Sequence, residues 1–218
     1  MASRLLRRSG VAVGLIADVL NWRADVIYQV GIGNEFQEVD VLKSEWPGVL
    51  FIGCEPCPSL IAGLRKSYPG DLYAVAISNV IGTRSFYTRR RHANGSSLYA
   101  QDNSDECVVP VETLDHLFGK PKGDHVLLWL DCEGSELDAL DGAVQFMAGV
   151  EVVNVEMTAN PVNPDWCSPL EVHNSLTFSG FVRQWIHTQR ITSGQYDAIY
   201  VRPHLFKPEY CCDPVPRS

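Results

Sequence analysis

The stretch Leu127-Leu128-Trp129-Leu130-Asp131-Cys132-Glu133-Gly134-Ser135-Glu136-Leu137 constrains this chain more than any other. An apolar run ends in two carboxylates separated by one residue, passes a glycine and continues in a pattern that turns helical. That order describes a buried strand, a turn and a helix start. In an open α/β sheet ligands bind beyond the carboxyl ends of the strands, so Asp131 and Glu133 stand where chemistry needs them.

The rest of the chain supplies such a sheet. Residues 25–30 read as a first strand and Gly31-Ile32-Gly33 as the turn after it. A helix is expected over 35–43, where Phe36, Val39 and Leu42 fall at helical spacing, then a second strand over 49–53 with Glu55 just past its end. Pro58 suits a first helical turn, and Leu60, Ile61 and Leu64 line that helix until Pro69-Gly70. A third strand is expected over 72–77, ending in Ser78-Asn79. This alternation predicts a parallel sheet with right-handed crossovers.

Residues 82–88 suit an extra strand, and the polar run 89–105 a loop whose Asn94-Gly95-Ser96-Ser97 core favours turns. Strand character returns over 107–111, with a short helix over 113–118. After the fourth core strand, 125–130, one helix is expected to carry Leu137, Leu140, Val144 and Met147 on a single face and to stop at Gly149. A fifth strand over 151–155 is followed by Glu156. Ser168-Pro169-Leu170-Glu171 has the spacing of a helix cap, and residues 181–187 and 195–201 are expected to pair as an antiparallel hairpin at the sheet edge. A single domain is expected: an N-terminal helix over 1–24, a core over 25–202 and an irregular tail over 203–218.

Composition removes several classes of function. A chain of 218 residues can bury a core without staples, and no apolar run reaches bilayer length, so no membrane span is expected. The net charge of −8 disfavours general nucleic-acid binding. Arg89-Arg90-Arg91-His92 is a local exception, either a solvated loop or a clamp for an anionic part of a substrate. The 7 cysteines are odd in number and unpatterned, which fits a reducing, cytoplasmic compartment. Cys54-Glu55-Pro56-Cys57 is formally C-x-x-C, but a zinc ribbon needs a second pair, so packing is expected there and no metal. Arg4, Arg7 and Arg8 precede the apolar residues 11–20, loosely like a secretory leader. Asp18 interrupts that run and no small-residue cleavage site follows, so a surface helix is expected.

Three features therefore meet at the carboxyl ends of the strands. Gly31 and Gly33 let a ligand approach the backbone, and the following helix offers its N-terminus to a negative group. Glu55, about 24 residues after Gly31, stands where a carboxylate accepts from both ribose hydroxyls of a nucleotide. Asp131, Glu133 and Glu156 form the acidic side. A dinucleotide would need a third glycine where Phe36 stands. S-adenosylmethionine (SAM), with one carboxylate and no phosphate, tolerates Phe36 better.

The chain resembles the FkbM family of SAM-dependent methyltransferases. The matching residues are Val30-Gly31-Ile32-Gly33, Glu55-Pro56, Ala76-Ile77-Ser78 with Gly82, Gly95-Ser96-Ser97-Leu98, Val111-Glu112-Thr113-Leu114-Asp115, Asp131-Cys132-Glu133-Gly134-Ser135-Glu136, Leu140-Asp141-Gly142-Ala143 and Val155-Glu156. The resemblance covers roughly residues 25–202. It implies an α/β, Rossmann-like class I methyltransferase fold: a mostly parallel seven-stranded sheet with a C-terminal antiparallel hairpin and helices on both faces. It also implies SAM as cofactor, bound by Gln29, Gly31, Gly33, Glu55, Pro56, Ala76, Ile77, Ser78 and Asp131. The implied reaction is methyl transfer to a hydroxyl of a sugar, lipid or secondary metabolite. The family usually has an acid where Gln29 stands, a lysine where Trp129 stands and a differently placed first-turn glycine. Gln29 can still hydrogen-bond the methionine amine, without a charge-assisted contact.

Asp131 is the first candidate for a general base, with Glu133 and Glu156 behind it. Glu133 and Glu136 also open a helix, where negative charge is favoured. Asp131, Glu133 and Glu156 could instead gather a divalent cation. Arg90, Ser96 and Ser97 are expected on a substrate loop over the site, and residues 158–167 to shape the acceptor pocket. His92 and His173 are possible bases or ordinary surface histidines. No Gly-x-Ser-x-Gly elbow surrounds the serines. Two other functions remain open: a nicotinamide-dependent oxidoreductase, against which Phe36 argues, and a non-catalytic binding module, which Gln29 would permit.

Overall fold

The computed structural model describes residues 15–34, 37–90, 93–159, 161, 163–188 and 194–210. Two sheets organise them. The larger uses β1 (Val26–Val30), β2 (Leu50–Cys54), β3 (Asp71–Tyr73), β7 (Val126–Leu130), β8 (Val152–Thr158), β9 (Val182–Thr188) and β10 (Gln195–Val201). Its order is β3-β2-β1-β7-β8-β10-β9. Strands β1, β2, β3, β7 and β8 run parallel, whereas β10 is antiparallel to both β8 and β9. The smaller sheet, β4-β6-β5, is built from β4 (Ala76–Ile77), β5 (Gly82–Arg89) and β6 (Ser104–Glu112).

Every residue of β1 and β7 is buried, because helices cover both faces of the large sheet. The period of two sorts the side chains. Val26, Tyr28, Val30, Leu128, Leu130, Val153 and Val155 pack on one face with Ala139, Phe146 and Leu176. Ile27, Leu127, Trp129 and Val152 pack on the other with Ile16, Val39, Leu42, Trp46 and Leu64. The helices are α1 (Gln37–Glu45), α2 (Pro58–Ser67), α3 (Leu114–Phe118), α4 (Glu136–Asp141), α5 (Val144–Met147) and α6 (Pro169–Phe178). The α6 capping box is formed: Ser168 Oγ accepts from Glu171 N, and Glu171 Oε2 accepts from Ser168 N at 2.8 Å. Such a cap contributes about 1 kcal/mol.

Three expectations change. The strand over 72–77 divides: β3 pairs with β2 for three residues, and β4 crosses to pair with Val111 and Glu112 of β6. Glu55 N still donates to Tyr73 O, but Pro56 has no N–H with which to continue the ladder. The single helix over 137–147 breaks at Gly142 and Ala143, leaving Val144 75% exposed rather than on the buried face. Asp115 accepts from Gln145 N and Phe146 N and so starts α5 afresh, while a Cβ at Gly142 would lie 2.2 Å from the Ser78 carbonyl oxygen. The polar loop shrinks to 90–103, because β5 and β6 pair in register from Gly82↔Val111 to Arg89↔Ser104.

At the ends of the chain, Leu15–Val19 form a short helix that buries Ile16 and leaves Asp18 exposed, and residues 1–14 of the expected N-terminal helix lie outside the described residues. Residues 203–210 form two helical turns, tied to β9 by reciprocal hydrogen bonds between Gln184 and Lys207. The remainder of the expected tail, 211–218, lies outside the described residues, as do Phe36, Arg91 and His92. Among the described residues no helix is long and apolar enough to cross a membrane. Cys54 and Cys57 are buried free thiols, as packing requires.

Candidate active site

The glycine turn leaves β1 with Gly31 at φ +80° and Gly33 at φ +66°, a region L side chains rarely adopt. Gly31 lies against the end of β7: a Cβ there would stand 1.7 Å from the Asp131 carbonyl oxygen. Glu55, 4% exposed, folds under the turn. Its Oε2 accepts from Ile32 N at 3.0 Å and Gly33 N at 2.9 Å, and its Oε1 from Cys57 N at 2.8 Å. A carboxylate has about four acceptor positions, and these three amides take three of them. Burial pushes the Glu55 carboxyl above its usual range, and the N–H groups of Gly33, Cys57 and Ile32 oppose the shift.

The next amide of the turn, Asn34 N, donates to Asn94 Oδ1 at 2.8 Å. Gln29 is 2% exposed and accepts from the Tyr68 hydroxyl at 3.3 Å. Pro56 is half-buried beside Glu55. Ala76, Ile77 and Ser78 are buried at the end of β4, in the smaller sheet. The Ser78 hydroxyl accepts from Arg84 Nη1 at 3.0 Å and donates to Asn79 Oδ1, so its hydrogen bonds run to the Arg84–Asp138 pair and not to the glycine turn.

The acidic side is built on a strained turn. Glu133 adopts φ +51° and Gly134 φ +96°. A left-handed glutamate persists only where its surroundings hold it. Glu136 does part of this: Oε1 accepts from Cys132 N at 3.0 Å, and both its oxygens accept from Gly134 N at 3.1–3.2 Å. The Cys167 thiol also donates to Glu136 Oε2 at 3.3 Å. Read in the sequence as a helix-opening acid, Glu136 is a buried anchor, 4% exposed. Gly134 lies under the Trp166 indole, where a Cβ would come within 2.2 Å of the ring.

Carboxylate oxygens of Asp131, Glu133 and Glu156 lie within 4.8 Å of one another. Carboxylates this close disfavour one another's ionisation or can surround a hard cation. Burial, then Glu156, Glu133, Glu136 and Asp197, raise the Asp131 carboxyl well above its usual range. Burial and Glu136 push Glu133 up to about 7, against the pull of Arg89. The cleft in front is lined by these three acids together with Met157, Trp166 and Val172.

Of Arg90, Ser96 and Ser97, it is Ser97 that reaches this turn: it is fully buried and donates to the Glu133 carbonyl at 2.7 Å. Ser96 closes its own turn, donating to Ala93 O. Arg90 pairs with Asp105 on the surface at 2.9 Å, both side chains more than half exposed. His173 is engaged with the Tyr200 hydroxyl at 3.0 Å. The sequence reading missed Asn94, seen there as a turn residue, and Trp166, within a segment expected to shape the pocket. It also missed Asn163, whose side chain donates to Ala100 O and ties that segment to the loop.

A parallel sheet of order 3-2-1-4-5-7-6 (β10 counted seventh), its last strand pair antiparallel, with glycine turn and acids at adjoining strand ends, defines the Rossmann-like class I methyltransferase fold. The sequence matches the family model of the methyltransferase FkbM domain over residues 25–192, and the chain belongs to that family. Magnesium protoporphyrin IX methyltransferase from Synechocystis PCC 6803, solved with bound SAM, superposes with a TM-score of 0.51 at 14% identity, covering 89% of this chain and 77% of that one. Aeropyrum pernix fibrillarin, also solved with SAM, gives 0.50 at 11% identity over 88% and 73%. No curated protein sequence matches the chain significantly.

Proposed function

We propose that the protein is a SAM-dependent O-methyltransferase acting on a hydroxyl of a small molecule, sugar or lipid. The observation that carries this reading is the meeting of Gly31 with Asp131, which sets the cofactor turn against a cluster of three proton-accepting carboxylates.

The residues present fit the cofactor. Asn94 Oδ1 on Asn34 N stands in for an oxygen of the cofactor's carboxylate, and shows that this amide presents its N–H to an acceptor. Glu55 keeps one position for a ribose hydroxyl, and Gln29 lies at the end of β1 for the amine. When bound, SAM supplies an electrophilic methyl group. The protein's part is to hold an acceptor oxygen in line and remove its proton. Burial and the neighbouring acids raise the Asp131 carboxyl well above its usual range and the Glu133 carboxyl to about 7, so proton exchange in this cluster moves toward neutral pH. That is the condition a general base needs, and such help is worth roughly 100-fold to 10,000-fold. Trp166, Met157 and Val172 offer the acceptor an apolar wall.

The free thiols Cys54, Cys57, Cys107, Cys132 and Cys167 support a cytoplasmic location. The test is to incubate the protein with methyl-labelled SAM and panels of glycosides, lipids and phenols, and to identify the linkage by mass spectrometry. Label on oxygen is expected; label only on nitrogen, sulfur or carbon contradicts the reading.

A further inference from the structure

We propose that Ser97 is a positioning residue for the acid cluster: its buried hydroxyl, donating to the Glu133 carbonyl, holds the left-handed turn that brings the Glu133 carboxylate to Asp131 and Glu156. The cluster's use in methyl transfer rests on the function proposed above; the positioning itself does not.

One peptide group, Glu133–Gly134, is held at both ends. Its carbonyl, from Glu133, accepts from Ser97 Oγ at 2.7 Å, and its N–H, from Gly134, donates to both oxygens of Glu136. Clamped at both ends, the peptide plane resists rotation, which fixes ψ of Glu133 and the φ of +96° at Gly134 and so holds the two-residue left-handed turn in which Glu133 stands at φ +51°. A non-glycine residue is strained there, so the clamp has strain to oppose. With the carbonyl released, Glu136 holds the plane from the Gly134 N–H alone, and Glu133 can shift toward an ordinary backbone conformation and toward water.

Ser97 is suited to the task because its own rotor is fixed. The hydroxyl donates to Glu133 and accepts from Tyr99 N at 3.2 Å, and the residue has no exposed surface. Its backbone exchanges two hydrogen bonds with Tyr87 of β5, at 2.8 and 3.2 Å. Two residues on, the Tyr99 hydroxyl donates to Asp138 at 3.1 Å, and Asp138 also receives Arg84 at 3.0 Å. The hydroxyl thus sits on an arm fixed at β5 and at α4. It arrives from a different element and is 36 residues away from Glu133 in sequence.

The test follows carboxyl resonances of 13C-labelled glutamate through a pH titration, with the Glu133 signal assigned by its loss in Glu133→Gln. In Ser97→Ala the Glu133 midpoint is expected to fall from about 7 by roughly one pH unit or more, as the carboxylate gains water. Ser97→Thr keeps the hydroxyl and is expected to keep the midpoint. Should the alanine variant fail to fold, Ser97→Cys, similar in size and a weak donor, is expected to show a smaller fall. An unchanged midpoint in a folded alanine or cysteine variant overturns the proposal, because a purely structural serine would lower stability without moving Glu133. Calorimetry with S-adenosylhomocysteine on the unsubstituted protein reads the cofactor question separately: failure there removes the methyltransferase reading and leaves the Ser97 result standing.

Discussion

Gly31 and Asp131 touch backbone to backbone, the position of a Cβ on the first lying 1.7 Å from the carbonyl oxygen of the second. Glycine at 31 is required twice, by that approach and by φ +80°. Gly31→Ala is therefore expected to cost about 3 kcal/mol or more in urea unfolding, since neither the Asp131 backbone nor the turn can give way cheaply. A cost below about 0.5 kcal/mol, the usual range for surface substitutions, would mean the two strand ends are not held together.

Glu55 is expected to govern the glycine turn before it governs any ligand. Glu55→Gln places an NH2 against a backbone N–H, because all three of its present partners are donors. A loss of about 1–3 kcal/mol in thermal or urea unfolding should follow, with weakened cofactor binding. Weakened binding at unchanged stability would instead mean that Glu55 faces the ligand alone.

The acids also set a pH dependence. Glu133 is raised from 4.5 to about 7 and Asp131 well above its usual range, so the folded state keeps protons that the unfolded chain has released. Their stabilising contribution is full below the unfolded pKa and is lost as pH rises through the folded value. For Glu133 that window runs from 4.5 to about 7. Glu171 and Glu151, which are lowered, act in the opposite sense and below 4.5. Unfolding free energy is expected to fall from about pH 5 to about pH 8, and Glu133→Gln to flatten part of that fall. A slope identical in the variant would show that Glu133 titrates normally.

Glu136→Ala leaves the Cys132 and Gly134 amides without their acceptor. About 3 kcal/mol of destabilisation is expected, from hydrogen bonds to a charged group lost inside the fold. Glu136→Gln should cost less, since one oxygen can still accept. Equal costs would argue that the carboxylate holds the turn by charge alone.

Much of this architecture was readable because it is local. The apolar runs of β1 and β7, the glycine turn and the Ser168–Glu171 cap each declare themselves within a few residues. What escaped was set by distant contacts. The division of strand 72–77 depends on β6 standing ready for Ala76 and Ile77, and the break at Gly142 on the Ser78 carbonyl beside it. Glu136 carries the same local signal as any helix-opening acid, and burial by Cys167 and the 132–134 turn made it an anchor. Ser97 lies in a polar, turn-forming run, and nothing in that run points to Glu133. Asp131, Glu133 and Glu156 were legible as strand-end acids; their approach to within 4.8 Å needed β7 and β8 to pair.

The central claim is that the glycine turn and its neighbours bind SAM for use by the acid cluster. Isothermal calorimetry on the unsubstituted protein with SAM, S-adenosylhomocysteine and NAD tests it most directly. One SAM or S-adenosylhomocysteine per chain, with no heat from NAD, is the result expected. Binding of NAD alone would make the protein an oxidoreductase, and no binding of SAM at millimolar concentration would leave a methyltransferase fold that has given up its cofactor.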